Sequence, residues 1–558
     1  MESVIREAIE KVLGEGDVPV VDFAVEHPAD SAHGDYATNV AMVCAKNLGK
    51  SPREIAEQFR AALDGKIPNV ARIEIAGAGF INFYLARNFF SEKIADVVKN
   101  PDTFGKNNSL TGEEILFEYT SPNLMKPLHV GNLVGNIVGE SVSRLLEWSG
   151  ATVRRVNYPS DIGLTVAKAV WALAQTGELP STIEQIGEAY RRGNEAYEKN
   201  PAQKEEIETV NRALYEGSDS TLNALREKGI ELSRAHLTLM CKKLGTSFDT
   251  IIYESDASEA GKQTVLAHDD IFEKSEGAVI YRGEKHGLHT RVFINSQGLP
   301  TYEAKDVGNF ILKQKAYPSW TQYMVVTGNE QREYFKVLTA ALRDTFPETR
   351  DKKIEHIATG FLTLTTGKMS SRKGNVLTGE SIIEEVRMAA HEKAEASRAG
   401  DIEALTEDLA VAALKYQILR QSVGSDIVFD KERALSLEGD SGPYLEYTHA
   451  RLVSVLEKAK GEGLTADTTH APLTPYGVER LVYQFPEIVV KAERERAPHH
   501  LVTYLTALAS AMNTLYAHEQ FVNANDEYSP YKIALASAVK TVLANGLHLL
   551  SIRPVERM

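Results

Sequence analysis

LFEYTSPNLMKPLHVGNLVGNIVGESVSRLLEW, Leu116 to Trp148, changes its periodicity in the middle, and that change decides the fold. Leu116 to Tyr119 reads as the end of a buried strand, whereas from Leu133 onward apolar residues recur at helical spacing. Between the two the chain must turn, and the turn delivers His129, Gly131 and Asn132 to a helix start. A helix start carries backbone N–H groups without intrahelical partners and a field that favours negative charge, so it is a seat for phosphate. Gly131 lets the backbone approach a bound group, and the side chains of His129 and Asn132 can add donors.

Outward from this stretch, residues from about 113 to about 390 alternate strand and helix. VRRVNYPSDIG and QYMVVTGNEQREY read as strands running into loops, and IEHIATGFLTL leads into the basic loop GKMSSRKGN, Gly367 to Asn375. A charged helical insertion interrupts the pattern between about Thr176 and Lys243. In open parallel sheets ligands bind beyond the carboxyl ends of the strands, where these loops converge. Lys368, Arg372 and Lys373, with Ser370 and Ser371 between glycines 367 and 374, suit a loop that closes on a leaving pyrophosphate. The two motifs together describe a nucleoside-triphosphate site, where catalysis rests on position and charge stabilisation.

The rest of the chain brackets this core. MESVIREAIEKVL and SPREIAEQFRAAL read as helices, ARIEIAGAGFINFYL as paired strands about a glycine turn, and NPDTFGKNNSLTG as a linker. Beyond Gly400 the composition is helical. The expected division is an N-terminal α+β domain (1–105), an α/β domain on a Rossmann-like parallel sheet with a helical insertion (106–395), and an all-α bundle (396–558).

Composition limits the function classes. At 558 residues the chain exceeds what one core holds. No apolar run reaches membrane-spanning length and the acidic N-terminus is no secretory signal, so the cytoplasm is the expected compartment, without a membrane partner. Two cysteines, Cys44 and Cys241, outside any C-x-x-C spacing, leave no thiolate-rich zinc module or disulfide framework to expect. The net charge of −15 argues at first sight against nucleic acid, although RNA can dock on a local basic track or by stacking and shape.

Further strings narrow the reading. EYTSPNLMKPLHVGN, YEAKDVG at Tyr302 to Gly308, SGPYLEYTHAR at Ser441 to Arg451 and the terminal RPVERM accompany the two motifs. In residues, order and spacing the chain resembles the class I aminoacyl-tRNA synthetases, and within them the arginyl-tRNA synthetases, from HGDYATN at His33 to the last residue. The resemblance implies ATP-dependent attachment of L-arginine to tRNA(Arg) through an arginyl-adenylate, with magnesium carried by ATP. It implies tRNA as a requirement for activation itself, an anticodon-binding C-terminal domain, and an N-terminal domain that meets the outer corner of the tRNA. A monomer acting on arginine, ATP and tRNA(Arg), without DNA, is the expected assembly.

By the same resemblance, Lys126, His129, Asn132 and Lys368 are the catalytic group. ATP is met by His129, Gly131, Asn132, Lys368, Ser370 and Ser371. Glu118 and Asn123 would hold the substrate's α-amino group and backbone, Tyr302 and Asp306 would face the guanidinium, and Glu254 and Gln331 would join them. The chemistry is coherent, because carboxylates give a guanidinium planar, charge-assisted bonds that an ammonium group cannot reproduce. Two departures stand out: Asn132 replaces the second histidine of the first motif, and Ser371 the second lysine of the other. Lys126, just ahead of the histidine, is the candidate to share the triphosphate with Lys368. A cysteinyl or glutamyl synthetase, a silent tRNA-binding paralogue and a small-molecule nucleotidylyltransferase are the rival readings.

Overall fold

The computed structural model describes residues 1–15, 21–365, 378–397 and 400–558. The basic loop 367–375, with Lys368, Ser370, Ser371, Arg372 and Lys373, lies outside them. The described residues form two compact units: Gly105–Val453, Pro486–Ser510 and Leu543–Met558 in one, and Met1–Phe104, Ser454–Phe485 and Ala511–Val542 in the other.

The larger unit is built on an α/β framework. Its strands and helices are β1 (Glu114–Glu118), α1 (Val130–Trp148), β2 (Thr152–Asn157), β3 (Thr250–Ile251), α2 (Glu254–Ala267), α3 (Tyr302–Ala316), β4 (Gln322–Gly328), α4 (Arg332–Thr345) and β5 (Lys353–Thr359). Among the described residues five strands pair in the order β3-β2-β1-β4-β5, all parallel. Ile115, Leu116 and Phe117 of β1 are fully buried, which explains the unbroken apolar run, since a central parallel strand is covered on both faces. Because β2 and β4 flank β1 and their connections leave in opposite directions, a crevice opens beyond the carboxyl end of β1.

The insertion is three helices, Ile183–Lys199, Pro201–Glu216 and Ser220–Lys243. Each begins at a residue made for the purpose: Thr182 forms a capping box with Gln185, Asn200 precedes a proline, and the Asp219 carboxylate accepts from Thr221 N and Leu222 N. One element escaped the reading of the sequence, an antiparallel sheet of Phe272–Ser275, Ala278–Tyr281 and Arg291–Ile294 between α2 and α3. Its strands are four residues long, too short for alternation to stand out.

In the smaller unit, four strands among the described residues pair antiparallel in the order Val25–Glu26, Tyr36–Thr38, Phe80–Leu85, Val70–Ala76. Ser51 caps the helix Pro52–Leu63, as the Ser-Pro signal predicts. Two residues of the HGDYATN string serve the fold. Gly34 has φ of 96°, and a Cβ there would lie 2.8 Å from the Phe83 carbonyl oxygen. Asp35, 4 % exposed, accepts from Leu85 N and pairs with Arg480 Nε at 3.0 Å. The long C-terminal helices, distributed over both units, are Ile402–Leu419, Gly442–Gly461, Gly477–Arg494, His499–His518 and Ser529–Leu549.

Candidate active site

The turn between β1 and α1 is strained. Thr120, Ser121 and Met125 have φ of 74°, 28° and 60°, a region that a β-branched residue such as threonine avoids. Side chains from neighbouring elements hold it. Asn132 Nδ2 donates to the Thr120 carbonyl at 2.8 Å, Asn136 Nδ2 to Thr120 Oγ1 at 2.9 Å, and Asn157 Nδ2 to the Tyr119 carbonyl at 3.2 Å. The sequence assigns Asn132 to phosphate; in the fold, one of its amide protons secures the turn.

His129 is the N-cap of α1, its Nδ1 accepting from Gly131 N at 3.1 Å. An accepting Nδ1 puts the proton of the neutral ring on Nε2, which makes that atom a donor. Burial, and next the charge of Lys126, lower the pKa of His129. Lys126 itself lies in a niche with Ile183, His236 and Glu380, beside the cavity that His129 lines. The residues just past the basic loop reach the same turn: Thr378 bridges His129, Gly379 N donates to the Leu128 carbonyl at 2.8 Å, and Glu380 accepts from Leu128 N.

A cavity of about 590 Å³ opens over the switch point, lined by His129, Gly131, Asn132 and Gly135 on one side and by Gly328 and Gly360 on the other. The glycines of α1 recur every four residues, and this spacing is a sequence signal that reading Gly131 alone missed. A Cβ at Gly135 would meet nothing closer than Val326 at 4.0 Å, so this glycine widens the cavity. A Cβ at Gly139 would fall 2.4 Å from the Tyr119 ring, so this one lets α1 sit on β1.

A second cavity of about 490 Å³ adjoins the first at Ser121, Thr327, Glu330 and Gln331. Its walls bring together all six residues assigned to arginine from the sequence: Glu118, Asn123, Glu254, Tyr302, Asp306 and Gln331. Tyr302, 58 % exposed, stands at the mouth. Glu254 is 5 % exposed and accepts from Lys305 Nζ at 2.9 Å and Ser160 Oγ at 2.8 Å. Burial pulls the Lys305 ammonium pKa down, but Glu254 and Tyr215 together outweigh it and hold the pKa above its ordinary value. Glu118 pairs with Lys313 and also accepts from Asn309 Nδ2 at 3.0 Å. Asp306 has no cation as ion-pair partner among the described residues; the Tyr334 hydroxyl donates to it. Burial first, and the Glu118 charge second, push its pKa up to about 8. Tyr158 also lines this cavity, and its buried hydroxyl has no hydrogen-bond partner among the described residues.

The helix contact that sets these walls depends on two glycines. A Cβ at Gly308 would fall 1.9 Å from the Ala257 carbonyl oxygen, and one at Gly261 would fall 1.8 Å from that of Ala304. Backbone thus meets backbone where α2 crosses α3, bringing Lys305 to Glu254. Gly308→Ala is therefore expected to cost about 1–3 kcal/mol through forced separation of the helices, read as a lower midpoint in denaturant unfolding. An unchanged midpoint would show that the crossing is not tight.

A larger cavity of about 860 Å³ lies beyond Phe335, lined by Arg332, Lys336, Arg343 and His356 among others, and contains none of the residues assigned from the sequence. Among the described residues no group of three or more His, Cys, Asp or Glu is arranged to hold a metal ion, and no helix is long and apolar enough to cross a membrane.

A parallel sheet in this order, with paired cavities over its switch point and an anion seat at the first helix, defines a class I synthetase site, and comparisons agree. Residues 94–431 match the family model described as "tRNA synthetases class I (R), catalytic domain", residues 1–85 the arginyl tRNA synthetase N-terminal domain, and residues 445–558 the DALR anticodon binding domain. The arginine–tRNA ligase of Treponema denticola is 30 % identical, covering 100 % of this chain and 98 % of that protein. That of Thermococcus sibiricus is 28 % identical with the same coverage. The Thermus thermophilus arginyl-tRNA synthetase structure superposes with a TM-score of 0.83 at 26 % identity, covering 100 % of both chains. The chain belongs to the arginyl-tRNA synthetase family. Its reaction is the ATP-dependent attachment of L-arginine to tRNA(Arg) through an arginyl-adenylate, with release of AMP and pyrophosphate.

Proposed function

We propose that the 490 Å³ cavity receives arginine and the 590 Å³ cavity ATP. Asp306, with Tyr302 and Glu254, takes the guanidinium; Glu118 and Asn123 take the α-amino group and backbone; Gln331 stands where the cavities adjoin. The substrate carboxylate attacks the α-phosphorus there, and pyrophosphate leaves. His129 Nε2, the N–H groups at the start of α1 and Asn132 stabilise the charge that develops on phosphorus, while Lys126 and Lys368 share the triphosphate. Magnesium enters on the triphosphate, since this small hard cation keeps much of its water shell and binds phosphate oxygens. A ribose hydroxyl at the tRNA end then attacks the adenylate carbonyl, and AMP leaves. Residues 396–558 hold the anticodon, residues 1–105 meet the outer corner of the tRNA, and the enzyme works as a cytoplasmic monomer.

The observation that carries the arginine assignment is the Asp306 carboxyl group, which faces the cavity without an ion-pair partner among the described residues while Glu118, Glu254 and Glu303 near it are each paired. The test is ATP–pyrophosphate exchange with arginine, lysine, cysteine or glutamate, with and without unfractionated tRNA. Exchange is expected with arginine alone, only when tRNA is present, lost on chelation and restored by magnesium without zinc. Exchange with lysine as strong as with arginine would overturn the pocket assignment.

A further inference from the structure

The walls of the smaller cavity contain a nearly balanced set of charges. Glu118 and Glu254 are each 5 % exposed and Glu303 is 8 % exposed. Each has a cation at bonding distance: Lys313 for Glu118, Lys305 for Glu254 at 2.9 Å, and Arg291 for Glu303 at 3.0 Å. Of the acids lining this cavity, Asp306 and Glu330 have no cation at bonding distance among the described residues; Glu330 is exposed where the two cavities adjoin, which leaves Asp306 as the one excess negative charge of the inner wall. Arginine presents the complement, because its α-amino and α-carboxylate charges cancel and its guanidinium remains. The excess depends on helix register: Tyr302, Asp306, Asn309 and Lys313 follow one another at helical spacing on α3 and all reach this site.

Lys313 is the unusual member. Its side chain is completely buried, and its Nζ donates to Glu118 and, at 2.8 Å, to the Tyr323 hydroxyl. A buried lysine is tolerated when paired and hydrogen-bonded, and the Glu118–Lys313 pair carries no net charge wherever its proton sits. We infer that Lys313 is a specificity-determining positioning residue: by neutralising Glu118 from inside the wall, it keeps Asp306 available as the single uncompensated carboxylate of the inner wall for a monocationic side chain. This rests on the cavity being the arginine site. Without Lys313, two acids would share a desolvated space, and one would hold a proton in place of the guanidinium. Lys313 also acts on Asp306 directly, in the sense that favours its charge; the other groups about it are Glu118 from β1, Tyr158 after β2, Glu254 from α2, Tyr302 on α3, Tyr323 from β4 and Tyr334 from α4, with Arg291 and Glu330 lining the same cavity.

The test is the KM for arginine against pH in tRNA-supported exchange with the full-length enzyme. Lys313→Met is expected to move the pH at which arginine binding is half-lost upward by about one unit, and so to raise the KM about tenfold at pH 7.5, with the KM for ATP unmoved. Glu118→Gln, which leaves Lys313 as a free cation beside Asp306, is expected to move that midpoint downward. Opposite shifts report charge, whereas structural damage lowers activity without moving the midpoint. If Lys313→Met does not fold, Lys313→Gln and the Glu118→Gln shift remain as measurements. A midpoint that stays at its wild-type position in the lysine variants, or moves the same way in both kinds of variant, overturns the inference. Failure of the arginine site itself would instead show as an unchanged arginine KM in Asp306→Asn.

Discussion

Asp306→Asn is expected to raise the KM for arginine by about 10²- to 10⁴-fold, corresponding to the roughly 3–5 kcal/mol lost when one partner of a buried pair is removed. The KM for ATP should stay within about twofold, because Asp306 lines the smaller cavity and not the larger. The Tyr334 hydroxyl keeps an acceptor in the amide oxygen, so the local fold survives. In the wild-type enzyme the Asp306 pKa is raised to about 8 by burial and then by Glu118. Arginine binds the charged form, so its KM should fall as pH rises toward 8, and rise about tenfold per unit below it. Binding at pH 7.5 should release a proton, measurable by calorimetry in two buffers of different ionisation heat. Stability runs the opposite way. A carboxyl group whose folded pKa lies above its ordinary 3.8 costs the fold progressively as pH rises between those values. Asparagine removes this cost, so Asp306→Asn should melt higher than wild type above pH 8 and level with it below pH 3.8. Equal effects on both substrates would defeat the assignment.

His129→Asn should lower the rate of adenylate formation by about 10²- to 10³-fold, as expected for removing one preorganised donor to a charge that appears in the transition state. Asparagine is the useful replacement because it is among the best N-caps, so it can keep the bond to Gly131 N while removing the outward Nε2 donor. The melting temperature and the arginine KM should therefore hold while kcat falls. Activity that survives in this variant would reduce His129 to a helix cap. Burial and then Lys126 lower the His129 pKa from its ordinary 6.5, which favours the neutral, donating ring, so any acid limb it gives the rate profile should lie below that value.

Much of this site was readable before any fold was known, and for a physical reason. The change of periodicity from Leu116 to Trp148 is local, and so is the chemistry of a capped, glycine-opened helix start. YEAKDVG marked Tyr302 and Asp306 as a unit because one helix carries both. The aromatic residues of the helical region were less legible. Tyr504 is 5 % exposed, as core spacing predicts, whereas Tyr516, on the same helix, is 40 % exposed, because helical spacing does not reveal which turns are covered. The sequence likewise did not disclose the second task of Asn132, whose amide donates to the carbonyl of the strained Thr120.

By itself the sequence determined the α/β core, the capped helix start after β1, the family and six residues that prove to line one cavity, because each depends on spacing along one strand, helix or turn. Only the tertiary structure decided their charges. Lys313 pairs with Glu118 across 195 positions of chain and Lys305 with Glu254 across 51. Gly308 and Gly261 permit the helix crossing that brings Lys305 to Glu254. Ionisation depends on what lies within a few ångströms in space, and a linear string does not record it; that is why the uncompensated carboxylate could be identified only in the folded chain.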